Sequence, residues 1–375
     1  QYDLDTVIDT LKSDWLTQGP AVELFEENLN EYFGSNHACV VSNGTAALHL
    51  VGLAFKWKKD DIIITSPLTF LATANSILYC NATPDFVDID SKSYTIDPNR
   101  LEEKIKLYRT KGKTVKAVIG IDYAGLPCDW QALRALADQY NFQLVNDNCH
   151  ALGAVLKNDK HYAVKFADAV TQSFHPVKHI TTGEGGAVLT NNSKIDERLK
   201  TFRTHGITKD KNILKNNDGP WYYEMHDLGY NYRMTDIQAA LGTSQLKKLD
   251  DFLVRRRKIA KYYDKLFIDT NTLMIPYAPK GSQHAYHLYP LQINFSKAKN
   301  NKRDFFCILK KKGINLQVHY IPVHLQPFYK SKFGFRKGDF PISELFYEKE
   351  VSLPIYPGLS DDEVLMVANN ILDII

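Results

Sequence analysis

Lys178 stands between Ser173-Phe174-His175-Pro176-Val177 and the glycine turn Thr181-Thr182-Gly183-Glu184-Gly185-Gly186. The run Asp168 to Phe174 reads as a buried strand, and Ala187 to Thr190 as the strand that leaves the turn. The lysine is thereby presented from a loop between two strands, where the glycines permit close backbone approach. An amine held in this way and partly desolvated has a lowered pKa and can attack an aldehyde as a nucleophile. A lone lysine beside a tight turn is more often an ordinary surface residue, so the rest of the chain decides.

Other polar residues fall at the ends of predicted strands. Ala38 to Val41 meets Ser42-Asn43-Gly44-Thr45-Ala46, after which Ala47, Leu48, Leu50, Val51, Ala54 and Phe55 supply a helical face. A strand, a glycine turn and a helix N-terminus form an anion site, which the helix dipole favours by roughly 0.3–2 kcal/mol. No Gly-Lys-Ser/Thr follows, so this is not a Walker loop. Phe142 to Val145 ends at Asn146-Asp147-Asn148-Cys149-His150, and Phe70 closely follows the strand Ile62 to Thr65.

The elements that must position these residues alternate. Strands are predicted at Ile62–Thr65, Asp85–Ile89, Val115–Tyr123 and Phe142–Val145, and helices at Thr69–Cys80, Asn99–Leu107 and Trp130–Tyr140. This pattern predicts an α/β fold, a mostly parallel sheet wrapped by helices, with ligands at the carboxyl ends of strands. Helices are also expected over Leu4–Leu16 and Ala21–Tyr32, and from a Ser193-x-x-Asp196 capping pattern to Arg203. Thr208 to Gly219 reads as a long exposed loop. Thr235-x-x-Gln238 is a capping box opening one helix to about Leu266. Beyond it, strands at Leu288–Phe295 and Leu316–Tyr320, helices at Lys302–Lys312 and Asp361–Ile374, and a loop-like Pro322–Phe340 suggest a smaller α+β unit. The expected division is 1–245 for a large domain and 246–375 for a small C-terminal one.

Composition narrows the class. The chain has 375 residues, 44% hydrophobic and 24% charged, with a formal charge of +3, which fits a globular protein and gives no sign of nucleic-acid binding. Arg255-Arg256-Arg257-Lys258 is the densest basic run and sits in a helical pattern. Cys39, Cys80, Cys128, Cys149 and Cys307 are scattered, so no disulfide framework, metal site or iron–sulfur cluster is expected. The stretch from Ile62 to Cys80 is broken by Pro67 and Asn75 and is too polar to span a bilayer. The chain opens on Gln1 inside a helical pattern without a signal peptide, which suggests a cytoplasmic protein whose natural start lies further upstream.

The ordered motifs S-N-G-T-A-A, T-F-L-A-T-A-N, N-D-N-C-H-A-L-G, S-F-H-P-V-K-H-I-T-T-G-E-G-G, G-Y-N-Y-R-M-T-D-I-Q-A-A-L-G, H-L-Y-P and V-H-Y-I-P span the chain. In this order they resemble the DegT-type nucleotide-sugar aminotransferases, which use pyridoxal 5'-phosphate and have the aspartate-aminotransferase (type I) fold. The resemblance implies that Lys178 joins the cofactor as an internal aldimine and moves the substrate proton. Asp147 matches the carboxylate paired with the pyridine nitrogen, and a negative charge there keeps that nitrogen protonated. His150 matches a contact to the ring hydroxyl, and Phe70 an aromatic near the ring face. Gly44, Thr45 and Ala46 match the phosphate turn, with Thr45 and Ala46 as backbone donors and Ser173 as a hydroxyl donor. Asn231 matches the asparagine that the partner subunit contributes to the cofactor phosphate, so a homodimer with shared active sites is implied. Asn146 departs from the family, in which Glu often precedes the aspartate.

Asp122-Tyr123-Ala124-Gly125, His319 to Pro327 and Gly338-Asp339-Phe340-Pro341 are similar to one branch of this family. That branch aminates a UDP-linked 4-keto-6-deoxy sugar in pseudaminic acid synthesis. The implied substrates are L-glutamate and such a sugar, with pyridoxamine 5'-phosphate formed between the two halves of the reaction. Thr17, Gln18, His319 and Tyr320 are the candidates for the sugar side. The alternatives are another 4-keto or 3-keto nucleotide sugar and, more distantly, a non-catalytic cofactor-binding regulator. Dehydratases of this fold carry His for the lysine or add cluster-binding cysteines, which Lys178 and the scattered cysteines argue against.

Overall fold

A computed structural model describes Gln1–Ile375 throughout. At its centre is a seven-stranded sheet in the order β1-β7-β6-β5-β4-β2-β3. In chain order the strands are β1 (His37–Val41), β2 (Ile62–Thr65), β3 (Thr83–Phe86), β4 (Val115–Ile121), β5 (Gln143–Asp147), β6 (Ala169–Ser173) and β7 (Gly186–Thr190). β3, β2, β4, β5 and β6 run parallel, while β7 lies antiparallel between β6 and β1.

The strands are apolar on both faces because each face is covered. Ala38, Val40, Ile62, Ile64, Val118 and Leu189 face one core, built with Phe25, Leu29, Trp130 and Leu133 from helices Pro20–Phe33 and Trp130–Tyr140. The intervening Cys39, Val41, Ile63, Ala117, Ile119 and Val188 face the other, with Leu50, Val51, Ile77, Leu199 and Phe202. This two-residue alternation fixes register, since a slip of one residue would exchange the two cores.

β8 (Ile207–Thr208) and β9 (Glu224–Met225) form a short antiparallel ladder. The C-terminal part holds a separate antiparallel sheet of β10 (Leu273–Met274), β11 (Tyr289–Ile293) and β12 (Glu350–Leu353). Its own core gathers Tyr289, Leu291, Val351 and Leu353 with Ile259, Tyr263, Phe305, Val364 and Ile371. No helix is long and apolar enough to cross a membrane.

The α/β architecture is as expected, and the helices Trp130–Tyr140, Ser193–Arg203 and Asp361–Ile374 match the sequence reading end to end. Several local expectations need correction, among them the opening helix, which runs Tyr2–Leu11 and stops short of Leu16. The helix after the Thr235 capping box stops at Leu246 and a second runs Leu249–Phe267. The break lets Lys247 reach the Tyr2 hydroxyl and Lys248 reach Asp3. The helix at Ser193 is capped by Asn192, whose side chain accepts from the amides of Lys194 and Ile195. Leu316–Tyr320 is not a strand: only Gln317 bridges, to Ser352, because the His319 amide turns to the Glu350 carboxyl and its ring to the Ser352 hydroxyl. Pro322–Phe340 is not loop-like, since it contains a helical turn at Val323–Leu325 and the helix Pro327–Phe333. Burial of Val323, Tyr329 and Phe340 against Phe86 and Ala74 stabilises that segment, an interaction invisible to local periodicity.

Candidate active site

The chemistry-bearing residues gather at the carboxyl ends of the parallel strands. β5 ends at Asp147, β6 at Ser173, and Lys178 follows β6 in a turn where its amide donates to the His175 carbonyl (2.9 Å). Asp147 is 6% exposed. Its Oδ2 accepts from the Thr73 hydroxyl at 2.7 Å and its Oδ1 from the Cys149 amide at 3.3 Å. Thr73 is in turn 2.8 Å from the Thr69 hydroxyl, so a short hydroxyl chain fixes one carboxylate oxygen. Burial pulls the Lys178 amine below its ordinary range, and the nearby Cys149 and Asp147 only partly oppose this. The same burial, with Asp147 alongside, pushes the Cys149 thiol well up, so it is a protonated neighbour rather than a thiolate.

His150 is buried, and its Nδ1 accepts from the Ala124 amide at 3.3 Å. The ring proton of the neutral imidazole is therefore on Nε2, which lies 3.0 Å from the Tyr320 hydroxyl. Burial first, then Lys178, holds His150 well below the usual histidine range, so the ring is neutral. Tyr320 also packs 5.9 Å from the Phe70 ring, and Phe70 is exposed.

Beside this cluster is a phosphate-sized cradle. β1 runs into the helix Gly44–Ala54, capped by Asn43, whose Oδ1 accepts from the Ala46 amide at 2.8 Å. The Ala46 amide is thus engaged by the cap, leaving those of Gly44 and Thr45 as first-turn donors. A Cβ at Gly44 would stand 2.8 Å from Ser173 Cβ, and one at Gly186 would stand 2.6 Å from the Asn43 carbonyl. Only glycine allows this approach of β6, β7 and the helix start, which brings the Ser173 side chain against the helix N-terminus. A desolvated amine, a buried carboxylate and an N-terminal cradle with an adjoining hydroxyl suit an aldehyde that carries a phosphate and a basic ring nitrogen. The residues present therefore fit pyridoxal phosphate.

Two of the sugar-side candidates belong to the same cluster and two do not. Tyr320 bonds His150, and His319 is near enough to Lys178 for its charge, after burial, to hold the imidazole down at about 4. Thr17 instead bridges Thr235, and Gln18 lines a separate polar cleft of about 380 Å³ with Glu26, Lys200, Arg203 and Arg233. Asn231 is exposed and bridges Thr204, which lines that same cleft. A wider cleft of about 550 Å³ lies between helices Leu71–Tyr79 and Pro327–Phe333 and holds none of these groups.

Sequence reasoning missed several supporting residues. Thr73 lies inside T-F-L-A-T-A-N, but nothing marks that threonine as the one beneath Asp147. Asp122 is fully buried and accepts from Asn146 and Asn148 (3.1 and 2.8 Å), the Tyr162 hydroxyl (2.7 Å) and the Trp130 indole (2.8 Å). The two asparagines flanking Asp147 therefore anchor the end of β5 to the end of β4, and this is the work Asn146 does. His287 packs 4.4 Å from the His150 ring, and its placement depends on a long-range fold contact.

Residues 1–372 match the DegT/DnrJ/EryC1/StrS aminotransferase family. The chain is 44% identical to an uncharacterised protein of Methanocaldococcus jannaschii, over 100% of this chain and 95% of that one. It is 38% identical to the UDP-4-amino-4,6-dideoxy-N-acetyl-beta-L-altrosamine transaminase of Campylobacter jejuni, again over 100% and 95%. Among solved structures, Helicobacter pylori PseC, an aminotransferase involved in the biosynthesis of pseudoaminic acid, superposes with a TM-score of 0.90 at 34% identity, covering 100% of this chain and 96% of that one. The chain belongs to the DegT/DnrJ/EryC1/StrS aminotransferase family and is a pyridoxal-phosphate-dependent nucleotide-sugar aminotransferase.

Proposed function

We propose that the chain moves the amino group of L-glutamate to the 4-keto carbon of UDP-2-acetamido-2,6-dideoxy-β-L-arabino-hex-4-ulose. The product is UDP-4-amino-4,6-dideoxy-N-acetyl-β-L-altrosamine, on the route to pseudaminic acid. The observation that carries this reading is end-to-end similarity to the Campylobacter transaminase of that name, over 100% of this chain and 95% of that one. The alternative is another keto nucleotide sugar, which the equally full-length match to an uncharacterised protein leaves open.

Pyridoxal phosphate, when bound, supplies an electron sink and a carrier for the amino group. The chain's own residues do the rest. Gly44 and Thr45 amides with the Ser173 hydroxyl would hold the phosphate, and Asp147 would pair with the ring nitrogen and favour its protonated form. Thr73 keeps one Asp147 oxygen in place, so the carboxylate does not reorient as charge develops. Lys178 Nζ would take the proton lost by the substrate carbon and pass it on to the cofactor, a role that an amine with a lowered pKa suits. His150 is pre-set as an Nε2–H donor, available to the ring hydroxyl or to Tyr320.

The reading includes a homodimer in the cytoplasm, with Asn231, and with it Thr17 and Gln18, presented to the partner's site. It is supported by the separation of these residues from Lys178 and by the helix Tyr2–Leu11, which buries no residue and exposes Tyr2, Leu4, Ile8 and Leu11. It also takes 1–245 as the cofactor unit and 246–375 as the small unit, a division that separates the seven-stranded sheet from the three-stranded one. The test is product mass after incubation with L-glutamate and, in parallel, the L-arabino and D-xylo 4-keto sugars. Amination of the L-arabino sugar alone is expected; amination of the D-xylo sugar alone would assign a different route.

A further inference from the structure

His319 is held from three sides. Its amide donates to Glu350 Oε2 at 3.0 Å, its carbonyl accepts from the Tyr123 hydroxyl, and its Nδ1 lies 2.8 Å from Ser352 Oγ. Ser352 Oγ also bonds Glu350 Oε1, so carboxyl, hydroxyl and imidazole form one relay along β12. With Nδ1 engaged, Nε2 is the ring nitrogen left without a partner in the chain, and Lys178 is near enough for its charge to act on the ring. Glu350 is fully buried, and the nearest cation, Lys302, spends its ammonium on the Tyr347 carbonyl rather than on the carboxyl. A buried carboxyl without an ion-pair partner keeps its proton.

The direction of the relay follows. A protonated Glu350 donates to Ser352 Oγ, the Ser352 proton goes to His319 Nδ1, and the ring proton stays on Nε2. We propose that Glu350 and Ser352 are positioning residues that hold His319 as its Nε2–H tautomer, so that it offers a donor to an oxygen of the bound acceptor sugar. The sugar side of this statement rests on the function proposed above; the tautomer does not. An ionised Glu350 reverses every bond: Ser352 donates to the carboxylate, Nδ1–H donates to Ser352, and Nε2 becomes a bare acceptor. Burial pushes the Glu350 carboxyl up, opposed in part by Lys302 on the helix Lys302–Lys311. The other charged or titratable neighbours facing this relay are Glu348, Tyr123, Tyr320, His150 and Lys178.

The experiment uses the full-length, cofactor-loaded protein with nitrogen-15-labelled histidine, the His319 signals being assigned by their loss in His319→Gln. Near pH 7, where an unbound histidine is largely neutral, the proton is expected on Nε2 in the wild type and in Glu350→Gln, whose amide mimics the protonated acid. Toward about pH 9 the wild type shifts to Nδ1–H as Glu350 ionises, whereas Glu350→Gln does not. In turnover, Ser352→Ala raises the KM for the sugar about tenfold near pH 7, the worth of one directed hydrogen bond. The glutamate half-reaction changes by less than about twofold, since that amine exchange is not read through His319. An Nδ1–H ring in the wild type near neutral pH, or Glu350→Gln matching the loss in Ser352→Ala, overturns the proposal. If no UDP-sugar is aminated, the functional reading fails and the nitrogen-15 spectra alone decide the relay.

Discussion

The Lys178 cluster and the Thr17–Asn231 edge are built on opposite plans. Around Lys178, the polar groups named above have a partner within the chain: Asp147 holds Thr73 and Cys149, and His150 holds Ala124 and Tyr320. At the other region Asn231 is exposed, Gln18 borders an open cleft, and the neighbouring Tyr2–Leu11 helix leaves its apolar side uncovered. On the function proposed above, the buried cluster would be the acid–base centre and the Thr17–Asn231 edge the part of the site that a second chain would complete. Preorganised donors lower a barrier only if they need not rearrange, so the chemistry belongs in the buried region.

The comparison breaks most sharply at Lys178. Lys178→Ala is expected to slow glutamate-driven loss of the yellow cofactor colour by about 10³-fold or more, as general acid–base catalysis is removed; a rate near the wild type would place the chemistry elsewhere. Asp147→Asn follows, with an expected loss of about 10²-fold in the same stopped-flow trace and an unchanged far-ultraviolet spectrum, because the charge goes and the shape stays. Mixing inactive Lys178→Ala with inactive Asn231→Ala protein sharpens the contrast, since hybrid dimers regain one intact site. Recovery of activity is expected, and mixtures as inert as their parents would remove the partner's contribution.

Smaller effects separate the regions by pH and by hydroxyl. Burial holds His284 at about 3 and His319 at about 4, and keeps His150, His179 and His287 well below the usual range, whereas the unfolded chain binds protons near 6.5. Between those values the unfolded state carries more protons, so stability is full above about pH 6.5 and falls as pH drops. Urea midpoints are expected to decline from pH 7 to pH 5, with His284 alone accounting for about 2 kcal/mol, and a flat profile would mean these rings are not buried neutral. Thr73→Ala is the mildest change, expected to cost about fivefold in the glutamate half-reaction through one lost hydrogen bond to Asp147.

The buried region was also the legible one. Strand alternation and a glycine turn predicted the loop that presents Lys178, and Asp147 and Ser173 stand at strand ends as such a sheet requires. Periodicity failed where polar side chains replace the ladder or distant packing builds the element. Leu316–Tyr320 looks like a strand in composition, but Glu350 and Ser352, more than thirty residues away, take over its bonding. The helix Pro327–Phe333 forms because Tyr329 finds Phe86 and Asn75, partners no local window contains. Thr73 and Asp122 were hidden for the same reason: their importance lies in which carboxylate or amide they meet across the sheet.

The most direct measurement is the visible spectrum of the cofactor-loaded protein through one full cycle. Adding L-glutamate should discharge the yellow colour, and adding the L-arabino UDP-4-keto sugar should restore it, with both phases lost in Lys178→Ala. A colour that glutamate leaves unchanged, or a Lys178→Ala protein that cycles at the wild-type rate, would contradict the account.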